Sequence, residues 1–479
     1  MKPTGKYGNL LLNTLLFAIN SVATKFVVFI LVPLYTTYMS AAEYGLADMS
    51  ASVIQLVTPL ATLSITDAVL RYMVDDESRR GTYALAGLVI TLFSTGLVGI
   101  GTPFLKLGFF GGLGNYPVWF ILAYSSNALL LYCSNVARGL NRVRVIPICA
   151  GFSSLTTIVL AYLLIGRLGM SVIGYFISVS AGPMMAVVAY LLFGGILGAI
   201  KEGFIELRRD ATACASFKQA LRPMLLYSLP LVPNSLFWWA STGINRFFIT
   251  GMIGISASGL YAAASKIPTL INAAYAVFQQ AWQLSSFQES KHDDIADFYK
   301  TVFTLVQAGM SVLCAAICCT APIIGYIMLK GETYQSWPMI GLLVFANFMN
   351  VLNSFYGTIY TSTMNTSHIM MTTVFGAITC TALTPLLINP LGIRGACLAS
   401  AAGQSLVFFI RVLQSKKLID FDPNWRILAP TIILLLIQSV YVGFQLTGWS
   451  LVSALFLFLI ALAQGRNVVQ LLATRRKRR

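Results

Sequence analysis

Charged residues are scarce in this sequence. They make up 10% of the 479 residues, whereas hydrophobic residues make up 57%. A soluble globular domain carries about 25% charged residues, so this composition excludes a chain with a large aqueous surface. Acidic residues are the scarcer kind, with 16 aspartates and glutamates against 32 lysines and arginines. The net charge of +16 does not indicate a nucleic-acid partner, because the charges lie in short connections between apolar runs and in the tail Arg475–Arg479.

Residues suited to catalysis or metal binding are also few. Histidine occurs only at His292 and His368, and none of the eight cysteines has a metal-type spacing beside a histidine. No nucleotide-binding loop, paired-histidine motif or nucleophile elbow is present. The sequence therefore indicates a protein that is not an enzyme and needs no cofactor. The sequence does not determine whether an ion, H⁺ or Na⁺, is coupled to its function.

Long apolar runs fill the chain, and each is about as long as the roughly 20 residues that cross a bilayer. They predict an all-α integral membrane protein with about fourteen transmembrane helices. The runs lie at 9–37, 44–70, 83–105, 116–137, 145–166, 170–198, 223–250, 257–285, 300–329, 336–364, 368–388, 392–414, 426–445 and 448–464.

The basic residues predict how these helices are oriented. With the N-terminus in the cytoplasm, the inside segments hold 25 of the 32 lysines and arginines. The outside loops then hold only Lys106, Arg167 and Lys330. Because lysine and arginine concentrate on the cytoplasmic side of membrane proteins, we expect both termini to be cytoplasmic.

Two pairs of similar short segments predict that the chain contains a duplicated unit. Arg167–Met170 resembles Pro390–Ile393, and Asn141-Arg142 matches the position of Asn365-Thr366. The two offsets, 223 and 224 residues, agree. Repeated halves are typical of transporters. The predicted parts are a six-helix bundle at 1–198, a cytoplasmic amphipathic connection at 199–222, a second six-helix bundle at 223–418, and two extra spans with a basic cytoplasmic tail at 419–479.

Polar side chains within the runs are candidate substrate contacts, since ionisable residues in a membrane span are costly to bury. Lys25, Arg246 and Lys266 are predicted to bind a diphosphate, because a cation in a low-dielectric cavity attracts one. Arg246 is also placed to snorkel to the lipid headgroups. Amides and hydroxyls hydrogen-bond sugar hydroxyls, and aromatic rings pack against sugar rings. The predicted sugar and cavity contacts are Asn234, Trp238, Trp239, Asn245, Tyr261, Asn272, Tyr275, Gln279, Asn347 and Asn350.

Each of these polar residues taken singly also fits a simpler role, which is to tie neighbouring helices together. A further set lies at the inner ends of the second and fourth runs, and we predict that it forms an inner gate: Asp67, Arg71, Arg138 and Arg142. Asp67 lies four residues before Arg71, a spacing that predicts an ion pair on one helix face.

Several segments resemble Wzx-type polysaccharide flippases in order and spacing. Leu31–Tyr38 followed by Ala42–Gly45 resembles the family's first signature, and Asn135–Gly139 resembles its span-four exit. Asn245–Ile249 and Gly259–Tyr261 are similar to its pattern in spans seven and eight. The resemblance implies the fold of the multidrug/oligosaccharidyl-lipid/polysaccharide exporter superfamily, with two six-helix bundles in a V. The extra helix pair resembles the fourteen-span branch, which includes lipid II flippases.

The resemblance also implies a substrate and a mechanism. The substrate would be an undecaprenyl-diphosphate-linked oligosaccharide, of the polysaccharide or O-antigen repeat-unit type used for lipopolysaccharide, and it would cross a bacterial cytoplasmic membrane by alternating access. The partners would be this polyprenyl-linked glycan, the membrane lipids, and a glycan polymerase and glycosyltransferases, with no nucleic acid.

Three alternatives stay open. A lipid II-type flippase shares the fold. A drug or cation exporter shares it too, but cationic drugs call for buried carboxylates, and the ionisable residues of the mid-membrane stretches are cations. A membrane-embedded glycan polymerase or glycosyltransferase is disfavoured, because the only carboxylates of the short outer loops are Glu43 and Glu332.

Overall fold

A computed structural model describes residues 27, 29–209, 213–289, 295–363 and 366–478, and these form helices and short connections with no β-strand. We number the helices in chain order. They are α1 Phe29–Tyr38, α2 Ala41–Ala61, α3 Ile65–Asp75, α4 Arg80–Gly101, α5 Pro117–Gly139, α6 Val145–Ala161, α7 Ser171–Phe193, α8 Ile196–Arg209, α9 Ala213–Ser228, α10 Leu231–Met252, α11 Ile255–Glu289, α12 Ile295–Met328, α13 Trp337–Ser362, α14 Thr366–Leu391, α15 Ile393–Ser415, α16 Trp425–Gly443 and α17 Trp449–Arg478.

Ten helices of the described part are long and apolar enough to cross a membrane, and an eleventh span results if the bent pair α2 and α3 is counted as one. The chain is therefore an all-α, multi-pass membrane protein, as predicted. Three of the fourteen predicted runs remain. The runs at 223–250 and 257–285 correspond mainly to α10 and α11, and the run at 9–37 ends with α1. Helices α10 and α11 carry the polar stripes and are not among the ten. Most of the first run lies outside the described residues.

The chain divides into two units, Met1–Trp239 and Ala240–Arg479, and α10 contains the boundary. In the first unit, α7 packs against α5 and α6, and α4 packs against α5 and α8. Its interior contains buried tyrosines whose hydroxyls are satisfied by neighbouring helices. Tyr132 donates to the carbonyl of Ala84 at 2.7 Å, and Tyr124 donates to the hydroxyl of Ser94 at 2.8 Å. Such bonds are needed because the hydrocarbon core supplies no water to buried polar groups.

A break of three residues separates α2 from α3 and turns the chain by 54°. Leu63 and Ser64 both have a φ of 52°, in the left-handed region that side chains other than glycine rarely adopt. Pro59 lies in the last turn of α2 and lacks a backbone N–H, which weakens the helix just before the break. The second predicted span is therefore two shorter helices, and the break leaves backbone and hydroxyl groups next to a cavity.

In the second unit, α13 is the most buried span and packs against α11, α12, α15 and α16. An aromatic cluster holds one end of this core. The ring of Trp282 stacks on Phe355 with centroids 4.8 Å apart, and it meets Tyr299 edge-on at 4.9 Å. The indole N–H of Trp282 also donates to the hydroxyl of Thr358 at 2.9 Å.

The last two helices are an integral part of the second unit. Helix α16 packs against α12 and α13, and α17 packs against α12. The amide of Gln438 on α16 is fully buried; it donates to the carbonyl of Ala315 at 3.0 Å and to the hydroxyl of Ser453 at 2.8 Å. One buried amide thus joins α16 to both α12 and α17.

Candidate substrate cavities

The first unit contains a cavity of about 620 Å³, which we call the first cavity. Its lining is rich in hydroxyls, amides and aromatic rings. The lining side chains with polar or aromatic groups are Gln55, Thr58, Thr62, Ser64, Thr66, Asp67, Asn127, Ser134, Arg138, Ser153, Ser154, Tyr190, Ser235, Trp238 and Trp239.

Helix geometry explains why these residues meet. Asn127, Ser134 and Arg138 follow each other on α5 at intervals of seven and four residues, which places them on one helix face. The α2–α3 break contributes Thr62 and Ser64. Helix α6 contributes Ser153 and Ser154 to the lining. Because these side chains are small, they leave space between α5 and α6.

Two adjacent tryptophans of α10 have different environments in this cavity. Trp239 is 6% exposed, and its indole N–H donates to the carbonyl of Ser52 at 3.0 Å. Trp238 lines the same cavity but is 60% exposed. Trp239 is therefore held as part of the wall, while the ring of Trp238 is accessible to a ligand.

Asp67 and Arg138 both line the first cavity, so two of the four predicted gate residues are brought together. The predicted pair of Asp67 with Arg71 is wrong. Arg71 instead pairs with Asp75, one turn further along α3, with 3.0 Å between its Nε and the carboxylate, because Asp67 is turned toward the cavity. Arg142 is exposed beside Gly195 and does not line the cavity.

The second unit contains a smaller cavity of about 180 Å³, the second cavity. Five predicted residues line it: Arg246, Tyr261, Asn272, Asn347 and Asn350. The guanidinium carbon of Arg246 lies 5.9 Å from the centroid of the Tyr261 ring, and its NH1 donates to the carbonyl of Thr242 at 3.4 Å. The amide of Asn272 donates to that of Asn347. The arrangement offers one oriented cation beside paired amides.

Asn245 lies in the packed interior of the second unit instead of at a cavity surface. It is 2% exposed, and its Nδ2 donates to the hydroxyl of Ser400 at 2.6 Å. Its Oδ1 accepts from the hydroxyl of Thr384 at 2.7 Å. The same amide contacts Tyr261 and the carbonyl of Ala396, each at 3.3 Å. The residue ties α10 to α14 and α15, which is the simpler role weighed above.

The remaining predicted residues that the structure describes do not line either cavity. Tyr275 is 5% exposed, and its hydroxyl has no hydrogen-bond partner in the described part of the chain. Asn234 is exposed, and Lys266 and Gln279 are half-buried. Lys25 lies outside the described residues. Of the other two cations predicted to bind the diphosphate, Arg246 lines the second cavity and Lys266 lines neither cavity.

Several cavity residues escaped the sequence analysis. Gln55, Asn127 and Ser134 line the first cavity, while Ser400 and Gln404 line the second. A signal was present for α5, because Asn127, Ser134 and Arg138 form a polar stripe at helical spacing. The carboxyl residue Asp48 is also 7% exposed, so a buried acid does occur in the second run.

Comparison with known proteins places the chain in a family. A family model described as polysaccharide biosynthesis protein matches residues 10–283. The chain belongs to this family. The matched range includes the first cavity, Arg246, Tyr261 and Asn272. No curated protein sequence matches the chain.

Solved structures show the fold. The lipid II flippase MurJ in an inward closed conformation is 14% identical, with a TM-score of 0.65, over 96% of this chain and 100% of that one. An inward-facing multidrug resistance MATE family transporter of the MOP superfamily is 13% identical, with a TM-score of 0.61, over 84% and 97%. A MOP superfamily transporter from Pyrococcus furiosus, whose description reports a binding pocket of reverse polarity, is 15% identical, with a TM-score of 0.53, over 85% and 95%. This member of the polysaccharide biosynthesis family thus has the fold of MOP superfamily transporters.

Proposed function

We propose that the chain is a flippase that moves an undecaprenyl-diphosphate-linked oligosaccharide across the bacterial cytoplasmic membrane by alternating access. Membership of the polysaccharide biosynthesis family supports a glycan substrate. The likeness to MurJ extends over the whole of that protein, whose description names a lipid II flippase. The transported unit would be a polysaccharide or O-antigen-type repeat.

The first cavity is the observation that carries this proposal. Its lining combines hydroxyls and amides, which exchange hydrogen bonds with sugar hydroxyls, with the exposed ring of Trp238, which offers an apolar face to a sugar ring. At about 620 Å³, the volume lies within the range of small-molecule sites.

The diphosphate group of the proposed substrate would be bound by basic side chains. Arg138 in the first cavity and Arg246 in the second are the lining residues that carry a positive charge. A guanidinium donates two parallel hydrogen bonds to phosphate oxygens, which offsets part of the cost of removing the diphosphate from water. Lys25 and Lys266 stay in the proposal as further contacts, and Asp67 and Arg138 as an inner gate.

A cation exporter is the second candidate, and Asp67 is the observation that favours it. This carboxylate lines the first cavity, and Asp48 is buried in the same unit. Arg138 lines the cavity together with Asp67 and offsets its charge, so the lining has no net negative charge to select cations. For that reason the glycan substrate is favoured.

Reconstitution tests the proposal directly. The purified chain would be placed in liposomes that hold a fluorescent polyprenyl-diphosphate-oligosaccharide, and exposure of the glycan would be followed with an impermeant glycosidase. We expect glycan movement that Trp238→Ala reduces and that Phe93→Ala leaves unchanged, since the ring of Phe93 is 71% exposed away from the cavity. A parallel assay with an organic dication separates the two candidates. Dication transport without glycan movement would overturn the flippase proposal.

A further inference from the structure

Helix α8, which follows the span α7, has two apolar sides. One side faces the first unit, where Ile196 and Ala199 are buried, at 0% and 3% exposure. The other side carries Leu197, Phe204 and Ile205, which are 55%, 54% and 40% exposed. A water-exposed helix would present polar residues on its outer side, so this second apolar face needs a partner.

The inner side of α8 is fixed in place against α4. The carboxylate of Glu206 accepts the backbone N–H of Thr82 at 3.0 Å and also accepts its hydroxyl, so it caps the first turn of α4. Gly203 crosses Gly81 so closely that a Cβ on Gly81 would lie 2.5 Å from the nitrogen of Gly203. This contact leaves no space for α8 to rotate its outer face inward.

The outer side of α8 continues the surface of a membrane span. Leu192 and Phe193, the last residues of α7, are 67% and 58% exposed, and α8 begins three residues later. In a span that crosses a bilayer, such side chains face lipid. Leu197 and Phe204 on α8 are exposed as well, so exposed apolar side chains continue from the end of the span into α8. The end of a membrane span lies near the boundary between acyl chains and headgroups.

A basic side chain lies within this surface. Lys201 lines a shallow groove of about 560 Å³ together with Leu197, Ile200, Phe204 and Ile205. It is exposed, and no ion pair holds it in the part of the chain that the structure describes. Lysine stems lie along apolar surface while the ammonium group reaches the headgroup layer.

We propose that α8 is a phospholipid-binding helix. Leu197, Phe204 and Ile205 lie against acyl chains, and Lys201 binds the phosphate of an anionic phospholipid of the bilayer. The apolar continuity with α7 and the charge of Lys201 identify a lipid as the occupant. Glu202 lies about 100° around the helix from Lys201, between its two apolar sides, where it meets water. Amphipathic helices of this kind lie in the membrane interface.

Depth measurements on the full chain in nanodiscs test the acyl contact. Nitroxide labels would be attached to Phe204→Cys and, as the matched control, to Glu202→Cys, in a background whose eight cysteines are replaced by alanine. We expect the label at 204 to collide more with oxygen than with a water-soluble nickel complex, and the label at 202 to show the reverse. Equal access of the nickel complex at both positions would overturn the proposal.

Native mass spectrometry tests the headgroup contact. The chain would be released from nanodiscs that contain equal amounts of phosphatidylglycerol and phosphatidylcholine, and the retained lipids would be counted. Lys201→Gln is expected to lower the retention of phosphatidylglycerol about fivefold, since a lysine near an anionic surface contributes about 1 kcal/mol. Lys201→Arg and Glu202→Gln should retain it. Unchanged retention in Lys201→Gln, or an equal loss of both lipids, would exclude Lys201 as the phosphate ligand.

Discussion

The indole N–H of Trp239 donates to the carbonyl oxygen of Ser52 at 3.0 Å, across 187 residues of sequence. This bond fixes the first half of α10 against α2, so that Trp238, the preceding residue, lies at the wall of the first cavity. Trp239 thus has a structural role, while the exposed ring of Trp238 is accessible from the cavity.

The two tryptophans should respond differently to substitution. Trp238→Ala is expected to lower glycan movement by about tenfold with little effect on thermal unfolding, because the ring is exposed. Trp239→Phe keeps the apolar ring but loses a buried hydrogen bond, which contributes about 1 kcal/mol. Unfolding in detergent and transport in liposomes would be measured for both. If Trp238→Ala transports normally, the first cavity is not the sugar site.

Charge in the first cavity separates the two transport candidates. For a diphosphate substrate, Arg138→Ala should reduce transport at least tenfold, since a hydrogen bond to a charged group contributes about 1.5–3 kcal/mol. Arg138→Lys should keep part of the activity, because the charge is retained while the two-pronged geometry is lost. Asp67→Asn should have the smaller effect. The opposite order, with Asp67→Asn inactive and Arg138→Ala active, would favour a cation exporter.

The three cations predicted from the sequence can be tested in cells. Lys25→Ala, Arg246→Ala and Lys266→Ala are each expected to reduce surface glycan at normal protein abundance, because a partly desolvated diphosphate needs positive charge. Lys106→Ala and Arg167→Ala, at helix ends away from both cavities, serve as controls and should be nearly silent. Abundance must be measured in parallel. Normal export by all three alanine variants would refute their role.

Asn245 should affect stability more than transport. In Asn245→Ala, the buried hydroxyl of Thr384 and the half-buried hydroxyl of Ser400 lose a partner, and the loss of a buried partner costs about 1–3 kcal/mol. We expect a lower midpoint of thermal unfolding in detergent. Asn350→Ala, on the lining of the second cavity, is the matched control and should unfold like the unchanged protein. If the two variants unfold alike, Asn245 does not hold α10, α14 and α15 together.

The predicted orientation can be read by cysteine labelling. Asn115 and Gln335 are exposed in loops expected outside, and Arg79 and Lys416 are exposed at helix ends expected inside. Single cysteines at 115 and 335, in a cysteine-free background, should react with an impermeant maleimide on intact cells. Those at 79 and 416 should react only after the cells are opened. Labelling of the second pair on intact cells would reverse the orientation.

The positions of the predicted residues show how much of the candidate site could be predicted from the sequence. Tyr261 and Asn272 were predicted as cavity contacts from their residue types, and both line the second cavity. Asn245 was predicted for the same reason, but it bonds Ser400 and Thr384 in the interior. A helix face touches different neighbours along its length, and spacing within one helix does not reveal which neighbour a side chain meets.

The environment of Arg411 could not be predicted from the sequence either. The sequence counts it among the basic residues of an inside segment, yet it is 7% exposed within α15. Its Nε donates to the hydroxyl of Thr372 at 3.0 Å, and its NH1 donates to the carbonyl of Asn353 at 2.7 Å. These acceptors come from α14 and α13, and only the packing of three helices brings them to the guanidinium.

By itself, the sequence determined the membrane location, the all-helical fold and the resemblance to polysaccharide flippases. Those properties follow from the apolar content of each stretch and from local motifs, both of which are readable along one chain. The tertiary structure decided which polar groups meet. Asp67 faces a cavity with Arg138 while Arg71 bonds Asp75, and Glu206 caps a helix that begins 126 residues earlier, at Arg80. Each choice depends on where helices cross and how closely small residues let them approach, which is a property of packing in three dimensions.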